Sequence, residues 1–422
     1  MRNKKPTKNK SRRVVITGIG VIAPNGIGKD TFWQANVSGV SGISPITTFE
    51  TSELATKIAG SIPDFDPAAY IEESNLRKFD RFAQFGVAAT QMALEDAQFT
   101  ISDSHSERIG VCVGSGLGGM LFHEEQILKA LNTSLKKTSP LAIVKIMPNA
   151  VTAQISINFK IKGPSLTIST GCSSGLQALG EAYHLIQNNT VDHMVTGGVE
   201  APLTPITFSA FNSMKVMSQR NDAPQEASRP FDKDRDGFVL AEGAGIVILE
   251  SLEAAQARKA PIYAEVIGFA NNSSAYHIVM PQPDGKDIEQ VMRMALDDAE
   301  VKPTQIDYIN AHGTSTPSND RAETLGIKGL FGKYANKLLV SATKSMVGHT
   351  IGAAGALGTI ISALTIQNGI IAPTINQTTP DPECDLNFVA NNALSKEVQV
   401  SLVNAFGFGG SNASLVLRKY EM

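Results

Sequence analysis

An α/β fold on mixed sheets, built twice over, is what this chain predicts. Three observations carry the reading. Short apolar strands alternate with helix-patterned stretches from Arg13 to Arg418. Strands that end in Gly, Ser and Thr recur in both halves. From about Pro261 the order of elements starts again, although sequence identity between the halves is too weak to prove a duplication. Residues 1–12 read as a disordered basic tail. Residues 13–260 form a first half and 261–422 a second.

The elements follow in order. Arg13 to Gly20 is a buried strand ending in a glycine turn. Its G-x-G lacks the third glycine and the later acidic residue of a dinucleotide fingerprint, which excludes a nicotinamide cofactor. Thr31 to Val37 is a short helix, and a Gly/Ser/Pro-rich loop runs to about Tyr70. Lys78 to Ala97 carries Phe82, Phe85, Ala89, Met92 and Ala93 at helical spacing, a core-facing stripe. Arg108 to Gly114 is a buried strand in which Cys112 alternates with apolar residues and is structural. Asp192 to Gly198 is a third strand, with His193 at its start read as a surface histidine. Ala244 to Glu250 closes the first half. In the second, Tyr263–Phe269, Ile306–Asn310 and Leu338–Ala342 are strands, Ile288–Ala299 and Gly352–Ile366 helices, and Val398–Asn404 and Ala413–Arg418 a closing strand pair.

Composition narrows the function classes. Of 422 residues, 42% are hydrophobic and 18% charged, so the chain can bury a substantial core. The net charge is −3, and without the seven basic residues among the first thirteen the body carries −10. Nucleic-acid binding is not expected of such a body. No apolar run reads as long enough to span a membrane, and the basic N-terminus lacks the apolar segment of a signal peptide. Three widely separated cysteines make no disulfide framework and no metal-ligand spacing, which fits a reducing, cytoplasmic setting.

The stretch Ser165–Gly180, S-L-T-I-S-T-G-C-S-S-G-L-Q-A-L-G, is a strand that breaks at Gly171 and enters a helix. Cys172 therefore sits near a helix N-terminus, where exposed N–H groups and the helix dipole favour a thiolate below the usual value of about 8.5. Two readings stand: an activated nucleophile, or a small buried apolar cysteine. Three further strand tips share its small-residue character: Asn310-Ala-His-Gly-Thr-Ser-Thr-Pro317, Lys344-Ser-Met-Val-Gly-His-Thr-Ile-Gly-Ala-Ala-Gly355 and Asn404-Ala-Phe-Gly-Phe-Gly-Gly-Ser-Asn412. Ligands of open α/β sheets gather beyond the carboxyl ends of strands, which would bring Cys172, His312 and His349 together. The other five histidines, His105, His123, His184, His193 and His277, lack such context. A Cys–His–His zinc site is an alternative, without the local ligand spacing such sites usually show. Asp232, Asp234, Asp236 and Gly237 have the outline of a calcium loop, but the twelfth position is Gly243 rather than Glu. A charged turn held by local Asp and Arg contacts is the other reading.

With these motifs the chain resembles the β-ketoacyl-acyl-carrier-protein synthases, the elongating condensing enzymes of thiolase-like fold. T-G-C-S-S-G, N-A-H-G-T-S-T-P, K-S-M-V-G-H-x-x-G-A-A-G, F-G-F-G-G-S-N and R-P-F-D-K-D-R-D-G-F-V-L-A-E-G-A-G carry the resemblance from Arg13 to the C-terminus. It implies duplicated five-stranded mixed sheets in αβαβα layers. It implies that Cys172 takes an acyl chain from a carrier-protein thioester. His312 and His349, as neutral N–H donors, would hold the thioester oxygen of malonyl-carrier protein while carbon dioxide leaves. Backbone N–H groups of Cys172 and Phe408 would form the oxyanion hole, with the Phe408 side chain as gate. Lys344 would be the active-site lysine, linked to Asp320 and Glu323, and Leu117 would line the acyl pocket. Arg77, Lys78, Lys136 and Lys215 match carrier-docking positions on a face that must be basic, since carrier proteins are acidic.

Substrates would ride on the carrier's phosphopantetheine, with no cofactor or metal of the enzyme's own. The partners implied are acyl carrier protein and a second chain, either a copy of this one or a chain-length factor, with the strand before Cys172 at the two-fold interface. Type II fatty-acid and type II polyketide features both occur. S-T-G-C-S-S-G, A-P-L-T-P-I-T, N-D-R and P-D-P-E-C-D resemble polyketide ketosynthases, whereas T-S-T-P, G-A-A-G and F-G-F-G-G-S-N resemble the fatty-acid enzyme. A coenzyme A-dependent thiolase would need a second active cysteine, and Cys384 stands in P-E-C-D rather than at a glycine-rich strand tip. An initiating synthase would carry Asn where His349 stands. A non-catalytic chain-length-factor-like subunit would lack Cys172.

Overall fold

The computed structural model describes residues 12–421. The expected disordered tail, 1–12, lies outside them except for Arg12, whose guanidinium is fixed on Asp192 at 2.8 Å and on Ser251 Oγ at 2.6 Å.

The first half contributes strands β1 (Val14–Ala23), β2 (Ile109–Gly114), β3 (Ser165–Ile168), β4 (His193–Glu200) and β5 (Gly243–Ser251). The second contributes β6 (Ala264–Ser273), β7 (Tyr308–Asn310), β8 (Leu339–Ser341), β9 (Asn387–Phe388), β10 (Val400–Gly407) and β11 (Ser411–Arg418). In the first half the spatial order is β3-β2-β4-β5-β1. Its first two pairings are parallel and its last two antiparallel. The second half repeats this as β8-β7-β10-β11-β6, with the same parallel and antiparallel pairings, and β9 adds to its edge. An antiparallel ladder from Val14–Ile16 to Ala264–Val266 joins the two into one twelve-stranded sheet, counting the two-residue strand Gly26–Ile27 on β1. The duplication that sequence identity could not prove is thus explicit in the strand order.

Helices complete five layers. The outer layer on the first half is α1 (Arg81–Asp96) and α2 (Ala150–Phe159). Asp80 caps α1 by accepting from Phe82 N–H, and the Phe82/Phe85/Ala89/Ala93 stripe packs on the sheet as its spacing predicts. Between the halves lie α3 (Ser174–Gln187) and, further along the chain, the last long helix. The outer layer on the second half is α4 (Lys286–Asp298) and α5 (Pro317–Phe331). That last helix, α6 (Ala354–Asn368), pairs with α3 in the central layer. Burial on two sides explains why α6 is apolar all round, from Ala354 to Ile366. With the turn before it, Ile351–Asn368 is long and apolar enough to cross a membrane by composition, contrary to the sequence reading, and 89% of it is buried inside the fold.

Two histidine and aspartate readings are settled here. His193 is not on the surface: β4 pairs with β5, which sets its Nε2 3.3 Å from Glu250, and its ring stacks on Phe99 at 4.6 Å. Asp232 accepts N–H bonds from Asp234, Thr378 and Thr379, Asp234 accepts from Thr379 Oγ1, and Asp236 accepts from Gln219 N–H. These oxygens already serve protein donors, so the segment is the charged turn.

Candidate active site

Every residue of the constellation follows the carboxyl end of a strand. Cys172 comes after β3, His312 after β7, Lys344 and His349 after β8, and Phe408 after β10. The pairings above set β3 and β8 at corresponding places in the two halves, and the residues that follow β3, β7 and β8 line one cavity of about 450 Å³. Cys172, His312, His349, Phe406, Gly407 and Phe408 line it.

Cys172 lies in the turn Gly171–Ser173 that leads into α3. Gly171 holds φ at 61°, a conformation that suits glycine, and so aims the next residue off the strand. Gly407 brings a second backbone close: a Cβ there would lie 3.2 Å from Cys172 N and 2.7 Å from Thr170 O. The Phe408 backbone is thereby brought beside Cys172, near enough for its N–H to favour the thiolate. The expectation of a depressed thiol is corrected. Cys172 packs with Phe238, Leu240 and Ile351, and burial pushes its thiol up to about 11, against the pull of the Phe408 N–H and the Lys344 charge. Desolvation here outweighs the helix terminus. The other cysteines, Cys112 and Cys384, are buried away from the cavity, and burial pushes each up to about 12.

His312 and His349 are both buried, with ring centroids 5.4 Å apart and planes at 83°. Burial, reinforced by the Lys344 charge, holds both rings well below the usual imidazole value, so both are neutral. The His349 backbone is fixed on the strand-like segment beside it, donating to Val239 O at 2.7 Å and accepting from Ala241 N–H at 3.0 Å. The Ile351 N–H donates to His349 Nδ1, which leaves the ring proton on Nε2. Among the described residues, Nδ1 of His312 is buried without a hydrogen-bond partner.

Lys344 donates from Nζ to the His312 carbonyl at 2.6 Å. Its link to Asp320 and Glu323 is electrostatic: both act on Lys344 through space, and each holds backbone. Glu323 accepts from the N–H groups of His312 and Gly313, both at 2.8 Å, and from Asn404 Nδ2 at 3.2 Å. Asp320 accepts from Thr314 N–H at 3.0 Å and Phe231 N–H at 2.8 Å, with Arg235 Nε 3.6 Å away. The pair therefore fixes the loop that carries His312. Burial raises Glu323 and lowers Lys344, as expected for opposite charges taken out of water.

Leu117 does not line this cavity; its N–H donates to Glu200 at 3.1 Å. Phe408 does, with its side chain about a third exposed. Of the four docking residues, all are exposed but only Lys215 stands at the cavity wall. Sequence reasoning gave no role to Thr314 and Thr316, which line the cavity with hydroxyls 2.9 Å apart, nor to Glu200. For the threonines a signal was present, two hydroxyls at alternate positions directly after His312. Among the described residues no group of three or more His, Cys, Asp or Glu has metal-binding geometry.

The arrangement supplies a sulfur, the Phe408 backbone beside it, and two neutral imidazoles on the wall of the same cavity. It suits acyl transfer to sulfur and stabilisation of a second, developing oxyanion. Comparison with known proteins agrees. Residues 11–255 match the model for the beta-ketoacyl synthase N-terminal domain and residues 263–378 that for the C-terminal domain. The chain is 45% identical over 408 residues to 3-oxoacyl-[acyl-carrier-protein] synthase 2 of Coxiella burnetii, covering 97% of this chain and 99% of that one. It is 42% identical over 413 residues to the protein of the same name from Staphylococcus aureus strain N315, covering 98% and 100%. Among solved structures it is similar to an ishigamide ketosynthase/chain length factor, with TM-score 0.92, 35% identity and coverage of 97% and 100%. It is also similar to a type II polyketide ketosynthase bound to the hexaketide in complex with its acyl-carrier protein, with TM-score 0.90, 34% identity and the same coverage.

Proposed function

The chain belongs to the beta-ketoacyl synthase family, an acyltransferase carrying out elongating condensation in type II fatty-acid or polyketide synthesis, and we propose that Cys172, His312 and His349 perform its chemistry. The observation that carries this reading is the single cavity lined by all three, together with Phe408.

In the first step the Cys172 sulfur attacks the carbonyl of an acyl-carrier thioester. The negative charge moves to the carbonyl oxygen, facing the N–H groups of Cys172 and Phe408. The bond to the carrier sulfur then breaks, and that sulfur leaves with the proton Cys172 gave up. In the second, malonyl-carrier protein enters the same cavity. Its carbon–carboxylate bond breaks, carbon dioxide leaves, and the electron pair becomes an enolate held by the ring N–H groups of His349 and His312. Each preorganised donor of this kind is worth about 3–4 kcal/mol. The enolate carbon attacks the acyl carbonyl, the carbon–carbon bond forms and the bond to Cys172 sulfur breaks. Neutral rings suit the task, because a protonated imidazole would carry its charge in the resting state as well.

The Thr314 and Thr316 hydroxyls stand on the cavity wall beyond His312, where an amide-bearing arm such as phosphopantetheine would pass. Acyl carrier protein is the partner this implies, met at Lys215, and the substrates need no cofactor of the enzyme's own. Dimerisation, with a copy of this chain or a chain-length factor, is supported by the free outer edge of β3 and the exposed Leu166 on it. Action in the cytoplasm belongs to the same proposal.

The test is incubation with acyl- and malonyl-carrier proteins and mass spectrometry of the intact enzyme. An acyl adduct on Cys172, absent from Cys172→Ala, is expected. An adduct that survives in Cys172→Ala overturns the assignment.

A further inference from the structure

Glu200 ends β4, and its side chain is 0% exposed. Among the described residues it has hydrogen-bond donors and no ion-pair partner. Oε1 accepts from Ser115 Oγ at 3.0 Å and Leu117 N–H at 3.1 Å, and Oε2 from Gly116 N–H at 2.7 Å and Gly352 N–H at 3.0 Å. Burying a carboxylate without a cation opposes folding. Burial accordingly pushes this group up to about 7, although all four donors pull the other way.

The donors come from two places. Ser115, Gly116 and Leu117 form the loop after β2 in the first half, and Gly352 belongs to the turn entering α6 in the second. The second contact bears on His349. Ile351, between His349 and Gly352, sits at φ 43°, a conformation a β-branched residue keeps only when its surroundings hold it. Its N–H is the one that fixes His349 Nδ1. The Gly352 N–H on Glu200 anchors the strained residue from its other side. The fit is close, since a Cβ on Gly352 would lie 2.6 Å from Glu200 Oε2.

We propose that Glu200 is a positioning residue that clamps the Leu117 loop of one half to the His349 loop of the other, keeping the enolate-binding imidazole in register with the acyl group on Cys172. This rests on the ketosynthase reading above. Misplacing reacting groups by about 1 Å costs about 100-fold in rate. A glutamine at this position keeps the volume but turns an NH2 group toward backbone donors, so one side of the clamp must open.

The test compares wild type, Glu200→Gln and Gly352→Ala in three measurements. For Glu200→Gln we expect condensation kcat to fall about 10- to 100-fold, with KM for malonyl-carrier protein and the acylation of Cys172 each within about threefold. Nitrogen-15 resonances of the His349 ring should move from the Nε2–H tautomer pattern toward a mixture. Gly352→Ala, whose Cβ would lie 2.6 Å from Glu200 Oε2 and 2.8 Å from Gly116 N and so pushes the two sides of the clamp apart with the carboxylate still present, should do the same and decides the matter if Glu200→Gln does not fold. Wild-type kcat with unchanged His349 resonances overturns the proposal. So does a parallel loss of acylation and condensation, which marks general structural support. If wild type itself fails to condense, the ketosynthase reading falls, while the ring resonances, which need no substrate, still judge the clamp.

Discussion

The backbone N–H of Ile351 donates to Nδ1 of His349 at 3.3 Å, and this contact sets which ring nitrogen carries the proton. With Nδ1 an acceptor and the ring neutral, Nε2 is the donor, and His349 lines the cavity that Cys172 also lines.

Replacing His349 or His312 by alanine should therefore lower malonyl decarboxylation about 10²- to 10³-fold while leaving KM within a few-fold. Carbon dioxide release from malonyl-carrier protein, without an acyl donor, checks this. Cys172→Gln, which fills the place of the acyl group, should keep decarboxylation and lose condensation. Decarboxylation at the wild-type rate in either alanine variant would sink the two-donor mechanism.

The pH dependence follows from burial. Both imidazoles stay neutral well below 6.5, so lowering the pH from 8 to 6 should not cost activity through them. The thiol, pushed up to about 11, loses its proton only at high pH. Alkylation of Cys172 by iodoacetamide should rise about tenfold per pH unit between 7 and 9 without levelling off. A plateau by pH 8 would show that the terminus of α3 prevails over desolvation.

The strand tips were legible because their chemistry is local: glycine, serine and threonine around one polar residue mark a close backbone approach wherever the strand lies. The repeated sheet order was legible as well, as elements that restart near Pro261. What escaped depends on contacts between distant segments. Glu200 reads locally as an ordinary strand-end glutamate, and only the loops at Ser115 and Gly352 make it a buried hub. His193 reads as exposed until β5 brings Glu250 beside it. The Cys172 thiol sits near a helix terminus as expected, but its apolar cover comes from Phe238, Leu240 and Ile351, far along the chain.

Lys215 stands exposed at the cavity wall, on a body whose net charge is negative. An acidic carrier needs such a cation to orient its approach. Lys215→Glu should raise KM for the carrier substrate about tenfold with kcat within about twofold, and the difference should shrink as salt screens it. Steady-state kinetics at low and high ionic strength test this, and an effect confined to kcat would contradict it.

Glu250 gives a stability prediction with a definite sign. Its burial would raise it, but Arg258, His193 and Thr17 bond to it and bring it down to about 2. A carboxylate depressed in the folded state stabilises above its unfolded value of about 4.3, and that contribution is lost as pH falls toward 2. Glu250→Gln should lower Tm by several degrees at pH 7, because Arg258 loses its partner. The difference from wild type should close between about pH 4 and pH 2. A gap independent of pH would mean that packing, rather than charge, is what the substitution removes.

The free edge of β3 leads to the last prediction. Among the described residues this four-residue strand pairs with β2 on one side only, and its exposed Leu166 lies six residues before Cys172. An apolar edge strand left open is a template for a second chain. Pairing there would stiffen the very segment that sets the Gly171 turn, so assembly and catalysis should weaken together. Leu166→Lys places a charge on that edge and should shift the chain toward monomer in light scattering, with a loss of condensation that is partly recovered at high protein concentration. A variant that remains fully associated would place the interface elsewhere, and a monomer with wild-type activity would show that the nucleophile's turn holds its shape alone.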